Sequence, residues 1–168
     1  MERSLSDKEG NGMLIAECCT NWIDLDMAKE MIGETKECGA DLAKFQLYDV
    51  EIDKGMPHYD WVKDRELSFP QAKMLFDYGA EIGMEVFFSV FGVKYVDWCE
   101  KIGVKRYKIA SGMRDKSVWR AISRIGKRAI ISSSGIETFP YGILAIMLYC
   151  EPGYPSDVKW LPDYKGTY

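Results

Sequence analysis

Apolar residues along this chain fall into short, nearly continuous runs separated by amphipathic stretches. MLIAE (13–17), ADLAKFQLYDV (40–50), MEVFFSVF (84–91), VKRYKIAS (104–111) and RAIISSSG (128–135) are such runs. Runs of this kind predict strands covered on both faces, as in a parallel sheet. Between them lie helical patterns over 24–39, 68–83, 94–103 and 115–126. In the first, Leu25, Ala28, Met31 and Ile32 recur at helical spacing, Asp24 can cap the start and Gly39 can end it. In the second, Ser68 is a candidate N-cap, Pro70 falls in the first turn and Gly83 closes the helix. Gly103 and Gly126 end the other two. Residues 51–67 read as a polar, aromatic loop, and GILAIMLYC (142–150) as one more strand.

The order is therefore β-α-β-α-β-α-β-α-β, then β. It predicts an α/β fold, either a TIM-type (β/α) barrel or a doubly wound sheet. One interval breaks the rhythm. Only about eight residues separate Ser134 from Ile143, whereas a parallel crossover takes about a dozen or more. Either the fifth helix is lost, or residues 143–150 do not pair as a regular sixth strand. Residues 1–12 read as a flexible tail, and no domain boundary is apparent within 13–168.

Composition narrows the class. The chain has 168 residues, about one domain, and a formal net charge of −4, so neither a nucleic-acid surface nor a basic membrane-binding face is expected. The five cysteines are odd in number, two are adjacent and no C-x-x-C occurs, which fits a reducing cytoplasm better than a disulfide framework. With a single histidine, His58, a structural zinc site is not expected. The polar N-terminus lacks a secretion signal, and no apolar run could span a bilayer.

Ligands of such folds bind at the C-terminal ends of the strands. Those ends carry Glu17; Lys44 and Gln46, two apart and so on one face; Ser89; Lys108 followed by Ser111-Gly112; and Ser132-Ser133-Ser134-Gly135. A lysine in an apolar strand costs free energy unless it meets an anion or a carboxylate. Two lysines, a carboxylate and several hydroxyls on one rim suit a small, doubly charged anion. Plainer readings stand beside this one. Either lysine could pair with Glu17 in a buried salt bridge, Glu17 could cap a helix, and the serine run could be an ordinary strand-to-loop turn. Cys18 and Cys19 suit packing better than nucleophilic catalysis, and His58 suits an exposed loop. Tyr59 and Trp61 suit a cover over the barrel end or a substrate lip.

The same residues resemble a known family. IAECCTN (15–21) and GADLAKFQ (39–46) are similar to the IAE-x-G-x-N-H and GAD-x-x-KFQ segments that open N-acetylneuraminate (sialic acid) synthases. ELSF (66–69) resembles the family's segment before its second helix, and FFSVF (87–91) its F-x-STPF. RYKIASG (106–112) resembles YKI-[AG]-SGE, ISSSGI (131–136) ILSTGM, and LYCEPGYP (148–155) LLHC-x-x-x-YP. The blocks occur in family order over residues 13–163.

The resemblance implies a (β/α)₈ barrel, usually followed by an antifreeze-like domain. It also implies a transferase of nonulosonic acid biosynthesis that condenses phosphoenolpyruvate with an N-acetylated hexose such as N-acetylmannosamine. By the same resemblance, Lys44 and Lys108 would hold the carboxylate of phosphoenolpyruvate. Ser89, Ser111 and Ser133 would donate to that substrate, and Glu17, Gln46 and Tyr154 would lie toward the sugar. Glu17, Lys44 and Lys108 are the expected catalytic group. A divalent metal, commonly manganese, is implied.

Departures limit the expectation. Met113 replaces the glutamate after Ser-Gly, Trp22 and Tyr149 replace histidines, and Pro152 replaces an asparagine. The Ser-Asp-His block and the metal-binding histidines have no counterpart. Such barrels need about 250 residues. The expected fold is thus a barrel truncated to about five βα units plus a sixth strand. Its open edges favour a homo-oligomer. The rival functions are a non-catalytic phosphoenolpyruvate- or anion-binding relative, and a fragment inactive without the remaining strands.

Overall fold

The structure is a computed structural model that describes residues 12–111, 113, 115–133 and 142–150. Six parallel strands form one sheet in sequence order, curled into a half-barrel. They are β1 (Ile15–Cys19), β2 (Leu42–Leu47), β3 (Glu85–Val90), β4 (Arg106–Ile109), β5 (Arg128–Ser133) and β6 (Ala145–Tyr149). Helices α1 (Leu25–Glu37), α2 (Tyr59–Lys63), α3 (Phe69–Ile82), α4 (Val93–Ile102) and α5 (Lys116–Ile125) alternate with them. The expected truncated barrel is thereby realised.

Local sequence explains the helix boundaries. Asp24 is extended (φ −146°) and its Oδ1 accepts the Met27 amide at 2.8 Å, which satisfies one of the unpaired donors at the start of α1. Before α3, the Ser68 amide and hydroxyl both donate to Gln71 Oε1, at 2.9 and 2.8 Å. Gly83 ends α3 at φ 76°, a left-handed conformation that a side chain would strain.

The two faces of the sheet carry different cores. Ala43, Phe45, Leu47, Val86, Phe88, Tyr107, Ile109, Ala129 and Ile131 face the helices in the main apolar cluster. The alternate residues Leu42, Phe87 and Ile130 form a second, smaller cluster inside the curl, joined by Met13, Ile15 and Ile146. Burial on both faces is why these strands read as continuous apolar runs. At the lower rim of the inner face, Arg106 grips Glu85 with two parallel bonds, Nε to Oε1 at 2.5 Å and Nη2 to Oε2 at 2.9 Å.

Two segments refine the sequence reading. Residues 51–67 are not wholly loop: a 3-10 turn covers Val50–Asp53 and α2 follows. Asp49 Oδ1 accepts the Glu51 amide at 3.1 Å, and the Tyr48 hydroxyl donates to the Val62 carbonyl at 2.6 Å, tying α2 to the end of β2. Five residues are too few to show a helical period. Residues 145–149 do pair regularly, running parallel to β5 from Ala129–Ala145 to Ser133–Tyr149. Whether a fifth-unit helix precedes them falls on residues 134–141, outside the described residues. No helix among the described residues is long and apolar enough to cross a membrane.

Candidate functional site

Register assembles the site. Glu17 pairs with Lys44 across β1 and β2, Gln46 with Ser89 across β2 and β3, and Ser89 with Lys108 across β3 and β4. Lys108 pairs with Ile130 on β5, so Ser132, two residues on, shares its face. Glu17, Lys44, Gln46, Ser89, Lys108 and Ser132 therefore occupy the inner face above the Leu42–Phe87–Ile130 layer, toward the C-terminal strand ends.

The lysines are deeply placed, at 5% exposure for Lys44 and 4% for Lys108. They solve their desolvation problem differently. Lys44 Nζ forms an ion pair with Glu17 Oε2 and bonds Ser89 Oγ at 3.1 Å. Lys108 Nζ donates to the Ile109 carbonyl at 2.8 Å and to Ser132 Oγ at 2.7 Å. Among the described residues no carboxylate lies in ion-pair range of Lys108. Burial, and then the positive charge of Lys44, pull its pKa from 10.5 down to about 8; the fields of Glu17, Cys150 and Cys19 oppose the fall. Two buried lysines thus have one carboxylate between them, which is paired with Lys44 and half exposed. A small anion would complete the charge balance.

Cys19 also belongs to the cluster. Its thiol donates to Glu17 Oε2 at 3.1 Å, and burial holds its pKa up at about 11, so it stays protonated. A bulge in β1 between Glu17 and Cys19 shifts the register so that Cys19 pairs with Phe45, and Cys19 has φ 45°, the one positive φ among described residues other than glycine. Cys18 is buried in the main core beside Thr35, as a packing residue would be.

The remaining predicted positions divide. Gln46 shares the inner face and is partly buried. Ser111 lies exposed in the turn after β4. Ser133 is buried, but strand alternation assigns it the opposite face from Lys108; the serine that reaches the lysine is Ser132. Tyr154, Gly112, Ser134 and Gly135 lie outside the described residues. His58 is exposed in the segment before α2, with Nε2 3.7 Å from Asp53 Oδ1. Sequence reasoning names two further members of the cluster but gives them no part in the site: Ser132, one of the strand-end serines, and Cys19, expected only to pack. Alternation from Ile130 marks Ser132 once the inner face of β5 is known, whereas nothing local announces the bulge at Cys19.

Metal chemistry finds little support in these side chains. Among the described residues no group of three or more His, Cys, Asp or Glu side chains could hold an ion. The donors among the described residues therefore do not fit the manganese that the resemblance implies.

The half-barrel carries a basic, hydroxyl-rich inner rim at its strand ends, and its strand order is that of a (β/α)-barrel protein. The chain belongs to the NeuB family, whose model matches residues 31–149. It is 32% identical to N,N'-diacetyllegionaminic acid synthase of Legionella pneumophila, over 87% of this chain and 50% of that protein. It is 31% identical to mouse N-acetylneuraminate-9-phosphate synthase, over 68% of this chain and 36% of the relative. Among solved structures, the N-acetylneuraminic acid synthetase of Leptospira borgpetersenii, crystallised with citrate, superposes with a TM-score of 0.76. That match has 26% identity and covers 89% of this chain and 58% of that one. This chain is thus sialic acid synthase-like, and it spans about a third to half the length of the curated relatives it matches.

Proposed function

We propose that the inner-face cluster binds phosphoenolpyruvate and serves a condensation with an N-acetylated hexose, as in sialic acid synthesis. Lys44 and Lys108 hold the carboxylate of phosphoenolpyruvate. Ser89, Ser111 and, from its contact with Lys108, Ser132 rather than Ser133 supply hydrogen bonds to the substrate. Glu17, Gln46 and Tyr154 lie toward the sugar. In the reaction, the methylene carbon of phosphoenolpyruvate attacks the open-chain aldehyde, water adds to the resulting cationic carbon, and phosphate leaves. The protein's share is neutralisation and positioning of charge.

The observation that carries this reading is Lys108, a buried amine on the strand-end rim with neutral acceptors and no carboxylate within reach among the described residues. Its charge is costly until an anion arrives. A non-catalytic anion-binding relative is the second reading. Among the described residues no group of side chains could hold the family's metal, and this favours it. Self-association would cover the exposed Leu144, Met147 and Leu148 at the β6 edge.

Calorimetric titration with phosphoenolpyruvate, with and without manganese, tests the proposal. Saturable binding that Lys108→Ala removes is expected. A further gain with manganese, with sugar turnover, marks the synthase; binding without either marks the anion-binding relative. A folded chain that binds no phosphoenolpyruvate refutes both.

A further inference from the structure

We propose that Lys108 also forms an imine with a small 2-oxo acid whose carboxylate is taken by Lys44, giving the inner-face cluster a covalent mode of binding. The inference uses the residues of the proposed anion site but not its occupant, since phosphoenolpyruvate carries no ketone.

Geometry supplies the first support. Lys108 Nζ is held by two acceptors, the Ile109 carbonyl and Ser132 Oγ, at 2.8 and 2.7 Å. A neutral amine has two N–H donors, so both are satisfied and the lone pair is left for an electrophile. The amine sits on the inner face rather than among the helix-facing core residues. Lys44 projects from the same face two strands away, and because its present partner Glu17 is 52% exposed, a ligand carboxylate can compete with Glu17 for it.

Electrostatics supplies the second. An ordinary lysine is protonated near neutrality and is no nucleophile. Lysines become reactive when desolvated or set beside another cation. Both conditions hold here: burial is the largest cause of the lowered pKa of Lys108, and Lys44 is the next. The opposing groups are Glu17 and Cys19 on β1 and Cys150 after β6; they leave the value at about 8, so a useful fraction is neutral at physiological pH. Ser89 from β3 and Ser132 from β5 complete the surroundings with neutral hydroxyls.

The step balances without any redox partner. The neutral Nζ attacks the C2 carbonyl carbon, the C–N bond forms and the carbonyl π pair moves to oxygen. That oxygen takes up the proton released by the nitrogen, for which Ser132 Oγ is a relay in contact with Nζ. The carbinolamine then loses its hydroxyl, with a second nitrogen proton, as water. The products are an imine and one water.

The test is reductive trapping on the intact chain with pyruvate and cyanoborohydride, read by peptide mass spectrometry. The reduced adduct is expected on Lys108 ahead of the exposed lysines. Its rate of formation should rise as pH is raised through about 8. Lys108→Arg should abolish it. Lys44→Met should slow it about tenfold, the loss of roughly one carboxylate contact. Excess phosphoenolpyruvate should suppress labelling of the unsubstituted chain, a control that needs no variant to fold. Adduct spread over exposed lysines according to their exposure, or none on Lys108 in a folded sample, overturns the inference. Phosphoenolpyruvate binding without adduct refutes only the imine, and adduct without phosphoenolpyruvate binding refutes only the function proposed above.

Discussion

Replacing Lys108 with methionine should stabilise the chain near neutrality and destabilise it at high pH. The folded chain lowers the pKa of this amine from 10.5 to about 8. At about 1.4 kcal/mol per pH unit, that difference is about 3 kcal/mol against the charged form. Below pH 8 the amine is protonated in folded and unfolded chains alike, and the whole penalty is felt. Between about 8 and 10.5 the unfolded chain keeps a proton that the folded chain has released, so stability rises with pH across that window. Methionine fills similar volume without the charge but strands two acceptors, Ile109 O and Ser132 Oγ, at about 1 kcal/mol each. At pH 7 the variant should therefore be more stable by about 1 kcal/mol, a rise in Tm of about 2–4 °C for a chain of this size. The penalty falls to about 2 kcal/mol near pH 9, where the two curves should cross. Paired urea melts of the two proteins from pH 7 to 10.5 measure this. A variant less stable at pH 7, or a difference that does not change with pH, would show that Lys108 is a structural cation and would remove the main support for an anion site.

Two further perturbations test the packing and the backbone. A methyl group at Gly79 would lie 2.4 Å from Val86 Cγ2 and 2.7 Å from the Met84 carbonyl, whereas one at Gly33 would meet nothing within 4 Å. Helix propensity favours alanine by about 1 kcal/mol at both sites. Gly33→Ala should therefore raise Tm and Gly79→Ala lower it, by about 1–2 kcal/mol net once overpacking is counted; a higher Tm for the second would mean that α3 does not sit this close to β3. At Cys19, alanine keeps the left-handed strain and loses the thiol bond to Glu17, while glycine loses the bond but relieves the strain. Cys19→Gly should exceed Cys19→Ala in stability by about 1 kcal/mol. Equal denaturation midpoints would argue against the bulged geometry of β1.

How far the sequence discloses this molecule depends on the range of the interactions involved. Strand and helix positions were legible because burial on both faces makes an apolar run and burial on one face makes a helical stripe. The terminating glycines were legible because left-handed caps are local. Residues 59–63 were not, since their helix is held by Tyr48 across the chain rather than by a period of its own. The site divides in the same way. Lys44 and Lys108 stood out as charges inside apolar runs, which few environments tolerate. Three serines of identical chemistry follow Ile131, however, and only register decides among them. Lys108 pairs with Ile130, which turns Ser132 inward and Ser133 toward the helices.

Register also settles an ambiguity that residue types leave open, whether the lysines answer Glu17 or an anion. Each answer holds for one of them. Glu17 lies on β1 directly beside Lys44 and is taken by it. Lys108, two strands further along the sheet from Lys44, is left with a carbonyl and a hydroxyl. A single carboxylate at the edge strand cannot neutralise cations on β2 and β4 together. The charge that remains sits where the strands end, under hydroxyl groups, on the lysine whose pKa has fallen. An anion that bridges the two lysines would restore the balance and raise that pKa again. For this reason ligand binding should take up about half a proton near pH 8, where unliganded Lys108 is half charged, and more at higher pH, with the maximum midway between the free and liganded pKa values.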